Sequence, residues 1–355
     1  MKKLIALALA LSLCFSLAAC GTSTSPSSAG TSTSAQPQTT EEKTYTLRFA
    51  MQQGNVARSE SAEVTWVERF KEEVEANSNG RIIVEVYPSA QLGSQEDNVA
   101  SLLNKSLEMT CINSTLLNSI SPQTMLLACP ALFANEEECD KVLAGEWGQR
   151  FWSDVAKESG IRVLAAFCNG MRSFTTSKTP LTTVESAKGI TFRVMTSPIY
   201  EKMVEAIGAN PVPMPGSEMY TAMQNGTVDG QENPPVNILN DKTYEVQKYM
   251  VLDKHVASVV TFDISESVWQ SLPEDLQKVI ADAAALVTPE AAAVCKTLNE
   301  NGVAQLQELG MIIYEPTEQE LEDWHTTMRG PCVEYIKEKL GDEIVDGLLA
   351  AIEAA

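Results

Sequence analysis

The sequence predicts an α/β fold of two lobes with a ligand crevice between them. Three observations carry this. Strand and helix patterns alternate twice, over residues 44–113 and again over 189–235, the order that builds a mostly parallel sheet. Groups of ligand-binding type, Arg193 and Asn233, fall at strand ends, where open α/β sheets place their crevice. A helical pattern longer than one lobe begins at Pro273. At 355 residues the chain is long enough for two cores.

The folded part begins near Thr44. Residues 45–51 read as a strand ending in the polar loop Gln52-Gln53-Gly54. Residues 59–79 form a helix with Val64, Val67, Phe70 and Val74 on one face and Asn79-Gly80 as its stop. Strand 82–87, helix 92–105 and strand 107–113 complete a βαβαβ run. Residues 126–133, apolar around Pro130, read as packed loop or strand, and 136–159 as one helix. Strand 162–168 leads into the glycine turn Asn169-Gly170-Met171-Arg172, where the first lobe hands over to the second and Arg172 can face a crevice.

The stretch 189–235 is the organising one. Residues 190–195 form an apolar strand interrupted by Arg193. A guanidinium keeps its charge, and burying it unpaired is costly, so Arg193 is expected to face solvent or an anion. Ser197 and Pro198 cap a helix carrying Ile199, Met203 and Ile207, closed by Gly208. Ser217 is expected to cap a second short helix ending at Asn225-Gly226. The segment VDGQENPP then reads as tight turns that present Asn233. Residues 251–267 are extended and cross back to the first lobe. From Pro273, Leu276, Ile280, Ala283, Val287, Ala291, Val294 and Leu298 keep helical spacing through Pro289, over about 36 residues and on the order of 50 Å. Such a helix could span both lobes, with a kink at Pro289 or Gly302. A short strand, 311–314, and a helical tail, 318–355, follow. The expected division is 44–169 plus about 256–298 for lobe I, and 170–255 plus about 299–355 for lobe II.

The N-terminus reads as a targeting segment. Lys2 and Lys3 precede an apolar run, 4–17, that ends in Leu17-Ala18-Ala19-Cys20. This resembles a bacterial lipoprotein signal, cleaved so that Cys20 becomes a lipidated N-terminus. Residues 21–43 are dominated by Ser, Thr, Gly, Pro, Ala and Gln, the composition of a disordered tether. The net charge of −21 argues against nucleic acid or an anionic membrane surface as partner. An anionic ligand would have to be drawn by a few local cations. Besides Cys20, six cysteines remain in the mature chain, and the sequence leaves open whether they are buried thiols or include disulfides. No CxxC or Cys/His cluster suggests zinc, and no metal or cofactor is expected.

The segments GRIIVEVYPSAQLG, GITFRV, GANPVPM, SEMYTAMQNGTVDGQENP and YEVQKY, followed by His255, resemble the DctP-type substrate-binding proteins of tripartite ATP-independent periplasmic (TRAP) transporters. The resemblance is long, ordered and extends weakly over nearly the whole mature chain. It implies a periplasmic-binding-protein-like fold with a long helix joining the lobes. It also implies that Arg193 grips a substrate carboxylate through a bidentate pair, a geometry the planar guanidinium suits. Arg172, in the family's NG-x-R position, would lie near that carboxylate, and Asn233 would add an amide. Gln52 and Thr196 sit where relatives often place polar contacts. Gly216 departs from the aromatic or bulky residue common there, so ligand size and ring stacking do not carry over from relatives.

An enzyme is not expected. His255 and His325 are the two histidines, and neither belongs to an HExxH motif or lies near a GxSxG. Asp229, Glu232 and Asp241 could pair, but VDGQEN has the composition of a solvated turn. The expectation is a monomeric, lipid-anchored extracytoplasmic binding protein. It would capture an organic acid anion, such as a dicarboxylate or sugar acid, and deliver it to TRAP membrane subunits. The alternative is a receptor of the same fold feeding a sensor kinase.

Overall fold

The computed structural model describes residues 43–54 and 56–355. The leader, Cys20 and nearly all of the tether lie outside the described residues. The first strand, β1 (Tyr45–Ala50), is followed by α1 (Ala62–Asn77), β2 (Ile82–Tyr87), α2 (Gln95–Leu103) and β3 (Met109–Asn113). Both β2 and β3 pair with β1 in parallel, as the βαβαβ pattern predicts. The first helix starts later than expected, because 58–60 form a separate 3-10 turn and Ser61 is the cap, its hydroxyl accepting from the Val64 amide at 3.3 Å. Ser94 and Asp97 cap α2 reciprocally.

After 3-10 turns over 114–117 and 122–128, the helix expected over 136–159 is two, α3 (Glu136–Ala144) and α4 (Glu146–Ser159), divided at Gly145. The next strand, β4 (Ile161–Thr176), runs eight residues further than expected. The predicted glycine turn at Asn169-Gly170 does not end it. The register with the neighbouring strand shifts between Cys168 and Met171, and the strand continues. Gly170 makes that irregularity possible. Its φ is 108°, and a Cβ there would lie 2.6 Å from the Asn299 amide nitrogen.

The second half of the chain begins with β5 (Thr191–Val194), α5 (Pro198–Ala206), β6 (Asn210–Pro213), α6 (Gly216–Gln224), β7 (Gly230–Asn233) and α7 (Pro235–Asn240). Ser217 is not a cap: Pro215 precedes the first turn of α6, and Ser217 lies inside it. VDGQEN is not a solvated turn either. Its last four residues are β7, buried throughout and antiparallel to β4. Gly230 is required there, since a Cβ would stand 2.2 Å from the Thr175 carbonyl oxygen and 2.8 Å from the Phe192 ring.

The chain ends with β8 (Tyr249–Val251), β9 (Val256–Ser265), α8 (Glu266–Ser271), α9 (Glu274–Glu308), β10 (Ile312–Tyr314), α10 (Glu318–Leu340) and α11 (Asp342–Glu353). The helical tail expected as one element is split at Gly341. The long helix is continuous for 35 residues with Pro289 inside it, roughly 52 Å at 1.5 Å per residue. It packs on α1 and β4, and further along on α7.

The strand order is β2-β1-β3-β9-β4-β7-β5-β6, with β8 added to β4 and β10 to β8. The shared element is β4: its part from Ile161 to Arg172 pairs, with two irregularities, with β9, its last four residues pair with β7, and Thr175 and Thr176 also meet β8. This is the two-lobed α/β architecture expected. One core gathers Phe49, Trp66, Phe70 and Phe262 under the N-terminal part of α9, with Trp66 stacked between Phe70 (4.5 Å) and Phe262 (4.1 Å). The other gathers Phe174, Phe192, Met203 and Trp324. All six described cysteines are buried and free, which answers the question the sequence left open. No helix among the described residues is long and apolar enough to cross a membrane.

Candidate functional site

A cavity of about 90 Å3 lies at the carboxyl ends of β3, β5 and β7 and against the bend of β4. Four of the five expected contact residues line it: Gln52, Arg172, Arg193 and Asn233. Thr196 does not. It is exposed on the turn before α5, beyond the end of β5.

Arg193 is buried, at 4% exposure. The expectation that it must meet solvent or an anion is corrected in one respect: among the described residues no carboxylate pairs with it. Its Nε and Nη2 both donate to the Met214 carbonyl oxygen, at 3.1 and 2.7 Å, and Nη1 approaches the Met219 sulfur at 3.7 Å. Burial pulls its pKa down to about 10, with the Glu232 carboxylate acting the other way. It stays a cation at neutral pH, and the edge not used by Met214 belongs to the cavity. Gly216 stands beside it. A Cβ there would meet only Arg193 Nη2, at 3.8 Å, so glycine leaves the approach to the guanidinium open.

Arg172 is treated differently. It is also buried, but Nε and Nη2 form a bidentate pair with the Glu232 carboxylate, the second contact at 2.9 Å, and Nη1 donates to Ser258 Oγ at 3.2 Å. Burial works against its charge, yet the Glu232 field raises its pKa above the ordinary value. His255 extends the network, with Nε2 3.3 Å from Glu232 Oε2 and Nδ1 2.7 Å from Asp253 Oδ2. Burial alone would lower the imidazole pKa, but Asp253 and Glu232 raise it to about 9. The two carboxylates favour the imidazolium form of His255, whose ring stacks on Phe174 at 4.4 Å. Two cations and two anions close on themselves in this buried set.

Asn233 donates to Gln231 Oε1 at 2.6 Å and contacts the Met219 sulfur at 3.6 Å. Sequence reasoning missed the rest of the lining. Glu63, in the first turn of α1, accepts from Ser61 Oγ (2.9 Å), Gln53 Nε2 (3.2 Å) and Asn169 Nδ2 (3.2 Å). Burial raises its pKa. Glu96, Asn113, Asn237 and Asp241 also line the cavity. Glu63 and Glu96 carry no signal in sequence, because acids in first turns are usual complements to the helix dipole. A polar cavity with one buried, uncompensated guanidinium is suited to holding a small carboxylate.

Comparison with known proteins agrees with this chemistry. The family model described as "Bacterial extracellular solute-binding protein, family 7", DctP, matches residues 53–339. A solute-binding protein of Roseobacter denitrificans is 35% identical over 232 residues, 65% of this chain and 71% of that protein. The C4-dicarboxylate-binding periplasmic protein DctP of Rhodobacter capsulatus is 30% identical over 289 residues, 81% of this chain and 85% of that one. Among solved structures, the sugar acid binding protein of Advenella mimigardefordensis in complex with galactonate superposes with a TM-score of 0.82 at 31% identity, covering 88% of this chain and 99% of that one. A TRAP periplasmic solute binding protein from Sulfurospirillum deleyianum with bound succinate gives 0.80 at 26% identity, covering 87% and 99%.

Proposed function

This chain belongs to bacterial extracellular solute-binding protein family 7, the DctP family of TRAP solute-binding proteins, and on that premise we propose that it captures an organic acid anion in the cavity under Arg193. The family serves transport rather than catalysis, which speaks for delivery to TRAP membrane subunits over delivery to a sensor kinase. Relatives bind C4-dicarboxylates, galactonate or succinate, all of them carboxylates.

The observation that carries the reading is Arg193, a buried cation with no carboxylate partner among the described residues. A carboxylate ligand supplies the missing charge and takes the guanidinium edge that Met214 leaves. Arg172 supports the same wall from behind its pair with Glu232, and Asn233 and Gln52 add amide contacts. The lobes, assigned as 44–169 plus about 256–298 and 170–255 plus about 299–355, close over the ligand by bending where β4 changes partners. A thermal-shift screen against organic acids, sugar acids and amino acids tests the function, since a ligand that binds only the folded state raises Tm. Stabilisation by one or more carboxylates, lost in Arg193→Ala, is expected. Stabilisation by neutral solutes alone would overturn it.

The mature protein is further proposed to begin at Cys20, carrying at least two acyl chains because one chain holds a protein to a membrane only marginally, and to act as a monomer. Intact-mass analysis of the native protein is expected to show Cys20 carrying at least two acyl chains, and an unmodified N-terminus elsewhere rejects the anchor. Light scattering of the detergent-free soluble part checks the monomer, and a stable dimer rejects it.

A further inference from the structure

The charge around the cavity is lopsided. Its lining cations, among the described residues, are Arg172 and Arg193, and Glu232 already occupies Arg172. One guanidinium is left for a ligand. The other charged lining groups are all acids: Glu63 of α1, Glu96 of α2 and Asp241 at the end of α7. Glu63 is buried and Glu96 half-buried; Asp241 is open to solvent, but the atoms packed around it and the nearby Glu63 raise its pKa to about 6, which leaves it an anion at neutral pH. The lining also carries amides, from Gln52, Gln53, Gln95, Asn113 and Asn237, among apolar side chains such as Ile112, Leu116 and Met195.

We propose that this acid wall is a specificity filter: the site takes an acid with one carboxylate and several hydroxyls, and rejects the dicarboxylate of the same chain length. The inference rests on the organic-acid reading above and narrows it. A first carboxylate on Arg193 uses the cation that is free. A second has no cation to meet and would be held against Glu96 and Asp241, where like charges repel at reduced dielectric and a desolvated, unpaired charge is costly. A hydroxyl suits the same wall. It donates to a carboxylate, which makes a strong charge-assisted bond, and it accepts from an amide N–H.

Calorimetry on the purified protein with pairs matched in chain length tests the filter: galactonate against galactarate, gluconate against glucarate, threonate against tartrate. In the tightest-binding pair the monocarboxylate is expected to win by at least about 30-fold. Glu96→Gln and Asp241→Asn are expected to shrink that ratio, while Arg193→Ala weakens both members alike. A dicarboxylate that binds as tightly as its partner overturns the inference while leaving the organic-acid reading intact. Failure of every carboxylate to bind sinks that reading, and this inference with it.

Discussion

Two strands separated only by β7 each bury one arginine, and their surroundings treat the two charges in opposite ways. On β4, Arg172 is locked to Glu232 and backed by His255 and Asp253. On β5, Arg193 has a main-chain carbonyl and a thioether. Burial is nearly equal, at 2% and 4% exposure, so burial does not separate a structural cation from a functional one. Compensation does. A buried charge with its counter-charge belongs to the fold, and a buried charge without one, as proposed for Arg193, is available to a ligand that supplies it.

The strongest way to break this comparison is to cut the compensated pair. Arg172→Ala leaves Glu232 buried beside His255 with one cation fewer, and removal of one partner of a buried pair costs about 3–5 kcal/mol. Chemical denaturation is expected to show a loss of that size, and a loss below about 1 kcal/mol would mean that the network is not structural. Arg193→Ala should do the reverse. Stability of the free protein holds or rises, because an unpaired buried cation disappears. Ligand affinity falls by about 2–5 kcal/mol, roughly 30- to several-thousand-fold. Arg193→Lys keeps the charge without the planar fork and recovers part of it. Calorimetry with circular dichroism as folding control separates the two readouts. Binding within about threefold of wild type in folded Arg193→Ala would transfer the anchor role to Arg172.

The pH dependence of stability sharpens the contrast further. The folded-state pKa of His255, about 9, lies above its ordinary value of 6.5. Its contribution is therefore complete below about pH 6.5 and is lost as pH rises through about 9. The Tm difference between wild type and His255→Gln should shrink across that window, and a constant difference would show that the imidazole is neutral. The smallest effect is expected at Gly216. An added methyl makes only an ordinary contact with Arg193, so Gly216→Ala should change affinity by less than about threefold. Gly216→Phe, whose ring can cover the guanidinium, should weaken binding more than Gly216→Ala, and equal affinities would place the entry route elsewhere.

How much of this could be read from the sequence follows the same division. The β5 cation was legible because a charge inside an apolar run has no local explanation. The long helix was legible because its apolar spacing persists through Pro289. The compensated network was not. Glu232 lies in a segment whose Gly, Asp and Asn content is that of a turn, and its partners Arg172 and His255 are 60 and 23 residues away. The composition of β7 is explained only by its neighbours: Gly230 by the Thr175 carbonyl pressed against it, Gln231 by Thr175 Oγ1 at 2.9 Å. Asn169-Gly170 misled for a related reason. A glycine with positive φ usually ends a strand, but here it lets β4 turn past Asn299 and go on into the second lobe.

The placement of Arg193 also fixes how fast a ligand can arrive. The chain carries a formal charge of −21, while Arg193, the cation proposed to meet the ligand, is buried and has little reach into solvent. An approaching anion meets a repulsive far field and feels attraction only at the mouth. Added salt shortens that field to about 10 Å at 0.1 M. Association should therefore quicken as ionic strength rises, the reverse of the steering seen when a charged surface faces its opposite. Dissociation is governed by contacts within the closed cavity and should hardly move. Stopped-flow measurements across a salt series would resolve the two rates, and an association rate that falls with salt would mean that the mouth, despite Asp241, is locally positive.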